Sequence, residues 1–227
     1  MKNPLRVSLT RFEMGLWLAS VAVIAGTYIG FQAGDALALI ASLIGVTSLI
    51  FLARGHALGQ VLMIVFSVMY GVIAVQSRYY GEAITYLGMT APMALLALIT
   101  WLRNPYQGSA EVAVRRLTGR QWLVMFILTL VVTAVFYFIL RWMGNAALAV
   151  STLSITTSFA AAFLTAMRSP YYALGYALND IVLIILWVMA ALTDLSAVPM
   201  VACFTMFFLN DMYGFINWRR MEKRQQN

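Results

Sequence analysis

Charge is what this chain has least of. Only 10% of its 227 residues are Asp, Glu, Lys or Arg, against about 25% in soluble domains. With 63% of residues hydrophobic, this excludes an ordinary soluble globular protein. Cysteine is nearly missing: Cys203 stands alone inside an apolar run, so no intrachain disulfide framework can form, and it reads as filler. His56 is the single histidine, which excludes His-clustered metal sites and Ser/His/Asp triads built from this chain alone. No Gly-rich loop ending in Lys-Ser/Thr occurs, so ATP is not expected to drive the chain's work. Neither a cofactor nor a metal is expected.

What the sequence does have is long apolar runs, at about residues 12–31, 36–53, 57–77, 80–102, 121–143, 146–167, 170–192 and 196–218. A span needs roughly 20 apolar residues to cross about 30 Å of hydrocarbon. The expected fold class is therefore an all-α membrane protein of about eight transmembrane helices in a lipid bilayer. Lys2, Arg6 and Arg11 before the first run, with Ala36-Leu37-Ala38 after it, resemble a signal peptide; seven further runs favour an uncleaved signal-anchor.

Lys and Arg sit almost entirely between the runs. With the N-terminus inside, thirteen of them fall on the inner side and only Arg78 and Arg141 on the outer. Such asymmetry predicts an even number of spans with both termini cytoplasmic. The net charge of +7 is thus read as membrane orientation, and no nucleic-acid partner is expected.

One long hydrophilic connection, about residues 103–120, divides the chain and reads as a linker between halves. Across it Leu9-Thr10 matches Leu117-Thr118, Ala57-Leu58-Gly59 matches Ala173-Leu174-Gly175, and Trp101 matches Trp218, at offsets of 108, 116 and 117 residues. Similar offsets point to an old duplication whose halves run parallel about an axis along the membrane normal.

Polar side chains within apolar runs mark sites, because they must find a partner or line a wet cavity. In the seventh run Tyr172, Tyr176, Asn179 and Trp187 share one helix face, with Asp180 beside Asn179. In the eighth, Asn210, Asp211, Gly214, Asn217 and Trp218 form a stripe that could face it. The fourth run shows Tyr79, Glu82, Tyr86, Thr90, Ala97 and Trp101, and the third adds Gln60, Ser67 and Gly71. Pro92 is expected to kink the fourth helix. Structural roles fit other positions: Ser and Thr of the second and sixth runs as helix-packing glue, Met and Phe as filler, and Glu82 as the surface partner of Arg78. Trp101 and Trp218 also fit an interfacial aromatic belt.

The string from Asn210 to Arg220 (NDMYGFINWRR) resembles the closing signature of the PnuC-type vitamin transporters. The stretch from Ser169 to Asp180 and the helix from Tyr79-Tyr80-Gly81 to Trp101 resemble that family too, and the likeness covers most of residues 36–220. It implies a SWEET-like arrangement: an extra N-terminal helix (1–35), a three-helix bundle (36–103), a basic loop and linker helix (104–145), a second three-helix bundle (146–219) and a basic cytoplasmic tail (220–227). It also implies a homotrimer in the bacterial inner membrane that takes up nicotinamide riboside by facilitated diffusion, with trapping by a cytoplasmic kinase. Thiamine, riboflavin or a deoxynucleoside are the other cargoes of the family, and proton coupling through Asp180 and Asp211 stays open. A Mg²⁺-dependent membrane enzyme is a remote alternative. The substrate-facing residues expected are Tyr86, Thr90, Trp101, Tyr172, Tyr176, Asn179, Asp180, Trp187, Asn210, Asp211, Tyr213 and Asn217. Tyr172, Gly175 and Tyr176 stand where some members carry a Trp-rich face, and Ala94 and Ala97 where an Asn and a Gly are common.

Overall fold

The computed structural model of the chain describes residues 9–31, 36–76, 80–145 and 147–226. Lys2, Arg6, Arg78 and Tyr79, each singled out by the sequence, lie outside the described residues. Eight helices long and apolar enough to cross a membrane are present among those described. They are α1 (Arg11–Gly30), α2 (Ala36–Ala53), α3 (Leu58–Gln76), α4 (Tyr80–Leu102), α5 (Gly119–Trp142), α6 (Leu148–Ala166), α7 (Tyr172–Ala191) and α8 (Val198–Gln226).

Helices α2, α3 and α4 pack as one bundle and α6, α7 and α8 as a second; α4 lies against α6 and α8 against α2, so the six close into a ring. Outside it, α1 rests on α2 and α8, and α5 rests on α6. Helix α5 turns Leu123, Phe126, Ile127, Leu130 and Val131 outward, as a helix bathed in lipid does.

The two halves echo each other in their details. Thr10 and Thr118 each open a helix with a capping box, to Glu13 at the start of α1 and to Gln121 at the start of α5, which satisfies orphan backbone donors. Gly59 brings α3 onto the Leu52 backbone of α2, and Gly175 brings α7 onto Ala161 of α6, so close that any added Cβ would collide. The turns after α2 and α6 both pass through left-handed backbone, at Gly55 (φ 66°) and Arg168 (φ 60°).

Three features differ from the sequence reading. The 103–120 connection is a docked strap: the Val112 N–H donates to the Gly55 carbonyl and the Arg115 N–H to the Arg168 carbonyl, both at 3.0 Å, joining the equivalent turns of the two bundles. Helix α8 does not end at residue 218 but runs to Gln226, because Glu222 pairs with Arg116 and Arg219, and Arg224 with Glu111 of the strap. Finally, α4 carries a π turn over Thr85–Thr90, just before Pro92. Proline lacks the N–H an α-helix needs, and the widened turn accommodates that loss.

Candidate functional site

The arrangement of small residues brings the polar stripes together. A Cβ added at Gly214 would meet the Ala173 and Ala53 side chains and the Tyr172 hydroxyl at ordinary contact distance, 3.5–3.7 Å, so α8 lies against both α7 and α2 here. One turn from Gly214, Asp211 meets Asp180 of α7 at the same small cavity, close enough for the two carboxyls to act on each other electrostatically. Both are 4% exposed, and the second Asp180 oxygen, Oδ2, has no partner. Two carboxylates facing one small buried cavity repel unless a proton or another positive charge lies with them.

They line a cavity of about 30 Å³ inside the ring, together with Asn179, Tyr176, Tyr86, Thr90 and Ser158. Aromatic and apolar walls come from Phe66, Phe204, Phe207, Leu49 and Met63. No Lys or Arg is among the lining residues. Asn179 is fixed by three hydroxyls of α6, with Ser154, Thr157 and Ser158 donating to its Oδ1 at 3.2, 2.9 and 2.9 Å. Tyr86 and Thr90 reach the cavity from the two ends of the π turn, a device common at functional sites.

Of the twelve residues singled out, six line this cavity: Tyr86, Thr90, Tyr176, Asn179, Asp180 and Asp211. Three of the others face elsewhere. Asn210, next to Asp211, donates to the Ser20 hydroxyl of α1 at 2.9 Å. Tyr213 donates to Glu13, which also holds Arg54, and Asn217 donates to the Ala53 carbonyl; both line a separate cleft of about 450 Å³ at the end of the helices that carries the basic turns. Residues one apart on a helix point about 100° away from each other, so a stripe that wide addresses two neighbours.

The remaining three belong to aromatic clusters at either end of the cavity. Trp187 donates to the Tyr70 hydroxyl at 3.0 Å, and Tyr70 packs on Tyr86 with ring centroids 4.3 Å apart. At the basic end Tyr172 packs on Tyr176, Trp101 and Trp218. Trp101 and Trp218 are 2% and 0% exposed, so they form core and not an interfacial belt: each finds its N–H acceptor inside the protein, Thr165 O and Leu52 O. Glu82 is likewise no surface partner, being 1% exposed, because α4 packs on α3 from its first turn.

The sequence reading missed Phe66, Phe204, Phe207, Leu49 and Met63, which lie in unbroken apolar runs. A signal existed for two of them: Phe207 and Phe204 stand four and seven residues before Asp211, on its helix face. The Ser and Thr residues divide. Ser42, Thr47 and Thr152 donate to their own helix's carbonyls as packing residues do, whereas Ser154, Thr157 and Ser158 hold Asn179.

Two similar helix bundles closing around a polar cavity define a multi-pass membrane protein built as helical transporters are. Residues 35–220 match the family model described as nicotinamide mononucleotide transporter, and the chain belongs to that family. It is 26% identical over 221 residues to the nicotinamide riboside transporter PnuC of Neisseria mucosa, covering 95% of this chain and 83% of that protein. It is 26% identical over 216 residues to the nicotinamide riboside transporter PnuC of Haemophilus influenzae, covering 94% and 92%. Its fold matches the crystal structure of the vitamin B3 transporter PnuC with a TM-score of 0.83 at 23% identity, over 98% of this chain and 96% of that one.

Proposed function

We propose that this chain carries nicotinamide riboside across the bacterial inner membrane by facilitated diffusion. The observation that carries the reading is the Asp180–Asp211 pair in an aromatic cavity without a cationic partner. A pyridinium cation beside the pair relieves the repulsion of the two carboxyls, while Tyr86 and Tyr176 offer ring faces to it, each worth roughly 0.5–2 kcal/mol. Asn179 supplies amide chemistry for a carboxamide, and the second Asp180 oxygen is free to accept from a ribose hydroxyl.

The family description speaks of the mononucleotide, whereas the two relatives are named for the riboside. The charge balance of the cavity favours the riboside. A phosphate would add negative charge beside two carboxyls, with no Lys or Arg in the lining to receive it.

The cavity of about 30 Å³ is far below the roughly 300 Å³ that a drug-sized ligand needs. Loading therefore requires the bundles to part, first toward one side and then the other, as alternating access does. The basic turns mark the cytoplasmic side, which puts both termini there. Capture of the delivered riboside by a cytoplasmic kinase would keep the downhill gradient, and a homotrimer is the assembly proposed.

The test is uptake of labelled nicotinamide riboside into liposomes holding the purified protein, with no ion gradient imposed. Saturable uptake that stops at equal concentrations is expected, with nicotinamide mononucleotide failing to compete. Asp180→Asn and Asp211→Asn should each lower uptake below saturation by about tenfold or more. Uptake that requires a proton gradient would overturn facilitated diffusion, and tight binding of the mononucleotide would overturn the charge argument.

A further inference from the structure

Asp180 and Asp211 leave one buried carboxylate of the ring without a task. Glu82 of α4 is 1% exposed, neither of its oxygens has a hydrogen-bond partner, and none of the ion pairs among the described residues includes it. A carboxylate kept in a core for stability is paired, because the unpaired state is costly. One left open inside a membrane protein points to a passing ligand.

Its surroundings say which kind. Glu82, Tyr86 and Thr90 follow one another at four-residue steps along α4, and the latter two line the cavity. Glu82 thus continues the same row by one turn, toward the end of the helices opposite the basic turns. Tyr86, one turn on from Glu82, packs on Tyr70 with the rings 4.3 Å apart, and the Tyr70 hydroxyl is held by the Trp187 N–H. A buried, unpaired carboxylate one helical turn from a fixed pair of tyrosine rings has the composition of an organic-cation site.

We propose that Glu82, with Tyr70 and Tyr86, forms a second cation-binding station that receives the positively charged ring of the cargo on its way to Asp180 and Asp211. The station rests on the reading of the cargo as nicotinamide riboside. It makes charge selection a two-step process: an anionic or neutral nucleoside lacks the attraction at Glu82 before it meets the central pair. The first half of the repeat supplies this carboxylate, and the second half supplies the other two.

The test compares two cargoes of nearly the same shape, nicotinamide riboside and its reduced dihydro form, which has lost the ring charge. In liposomes, Glu82→Gln should lower uptake of the cation below saturation by about tenfold and change uptake of the neutral form by less than about twofold. Glu82→Asp keeps the charge and should keep the preference for the cation. Equal loss of both cargoes, or loss of neither, overturns the station while leaving the riboside reading intact. A wild-type protein that carries neither form overturns that reading and the station with it. A second measurement does not depend on the Glu82 variants: with Asp180 and Asp211 both changed to Asn, titration calorimetry should still find weak saturable binding of the riboside, and its absence overturns the station.

Discussion

Trp101 and Trp218 stand 5.3 Å apart, ring centroid to ring centroid, and each donates its indole N–H to the last turn of a helix in the opposite bundle. Trp101 of α4 reaches Thr165 O of α6 at 3.0 Å, and Trp218 of α8 reaches Leu52 O of α2 at 2.8 Å. The residue before each repeats the pattern, with Thr100 donating to Ala166 O and Asn217 to Ala53 O. The two halves therefore match in a swapped pair of bonds at the basic end of the ring, which ties the bundles at the end where the proposed alternating access would have them part.

Because the two bonds are equivalent, Trp101→Phe and Trp218→Phe should cost similar amounts, about 1 kcal/mol each for the lost indole N–H bond, since each carbonyl keeps a backbone donor, Arg168 N–H on Thr165 O and Gly55 N–H on Leu52 O. The rings touch, so the double variant should deviate from additivity by roughly 0.5–1.5 kcal/mol. Thermal unfolding of the purified protein in detergent measures both. Strict additivity would mean that the ring contact contributes nothing.

Gly45 of α2 has the Phe207 and Phe66 rings against its Cα, and a Cβ there would meet Phe207 at 2.4 Å and Phe66 at 3.0 Å. Both rings line the cavity. Gly45→Ala is expected to push them and to raise the cargo KM by about tenfold or more, more than it lowers the thermal midpoint. A fall in stability with unchanged KM would show that the rings yield away from the cavity.

Asn179→Leu removes the acceptor of three hydroxyls at once. Thr157 also donates to the carbonyls of its own helix, while Ser154 and Ser158 lose their partner. The expected cost is about 1–3 kcal/mol. Asn179→Asp keeps the acceptors and should retain the fold, which circular dichroism melting of the two variants distinguishes.

Glu222 is 2% exposed and takes Arg116 of the strap and Arg219 of its own helix, and the side chains of both arginines are partly open to solvent. After allowance for that solvation, Glu222→Gln should cost about 1 kcal/mol. Its clearer signature is kinetic, since residues 104–118 should become accessible to protease several-fold faster. Unchanged proteolysis would mean that the backbone bonds from Val112 and Arg115 hold the strap unaided.

Span number and span position were legible because each rests on local composition. Eight runs of sufficient length and hydropathy became eight helices, with ends displaced by a few residues, and Thr10 and Thr118 capped the helices that their match implied. Of the two exceptions, the first is a long-range effect and the second a local one. Helix α8 runs on past residue 218 because charged partners from a distant strap meet it, and Pro92 is accommodated by a π turn of its own helix.

The site was half legible. Composition alone marked Asn179, Asp180 and Asp211 as misfits in an apolar solvent, and their convergence on one cavity agrees with that argument. Which neighbour each polar residue would address was not in the sequence. Membrane helices are apolar all round, so no hydrophobic face tells inside from outside, and the polar residues of one helix look alike until their partners are in place. Asn210 and Asp211 are adjacent in the chain, yet Ser20 of α1 claims the first and Asp180 of α7 the second. The chemistry of the carboxylates was determined by the sequence. That they meet inside a ring of phenylalanines and tyrosines was decided by helix packing across separations of many tens of residues, where Gly59 and Gly175 let the backbones approach and Gly45 leaves room for Phe66 and Phe207.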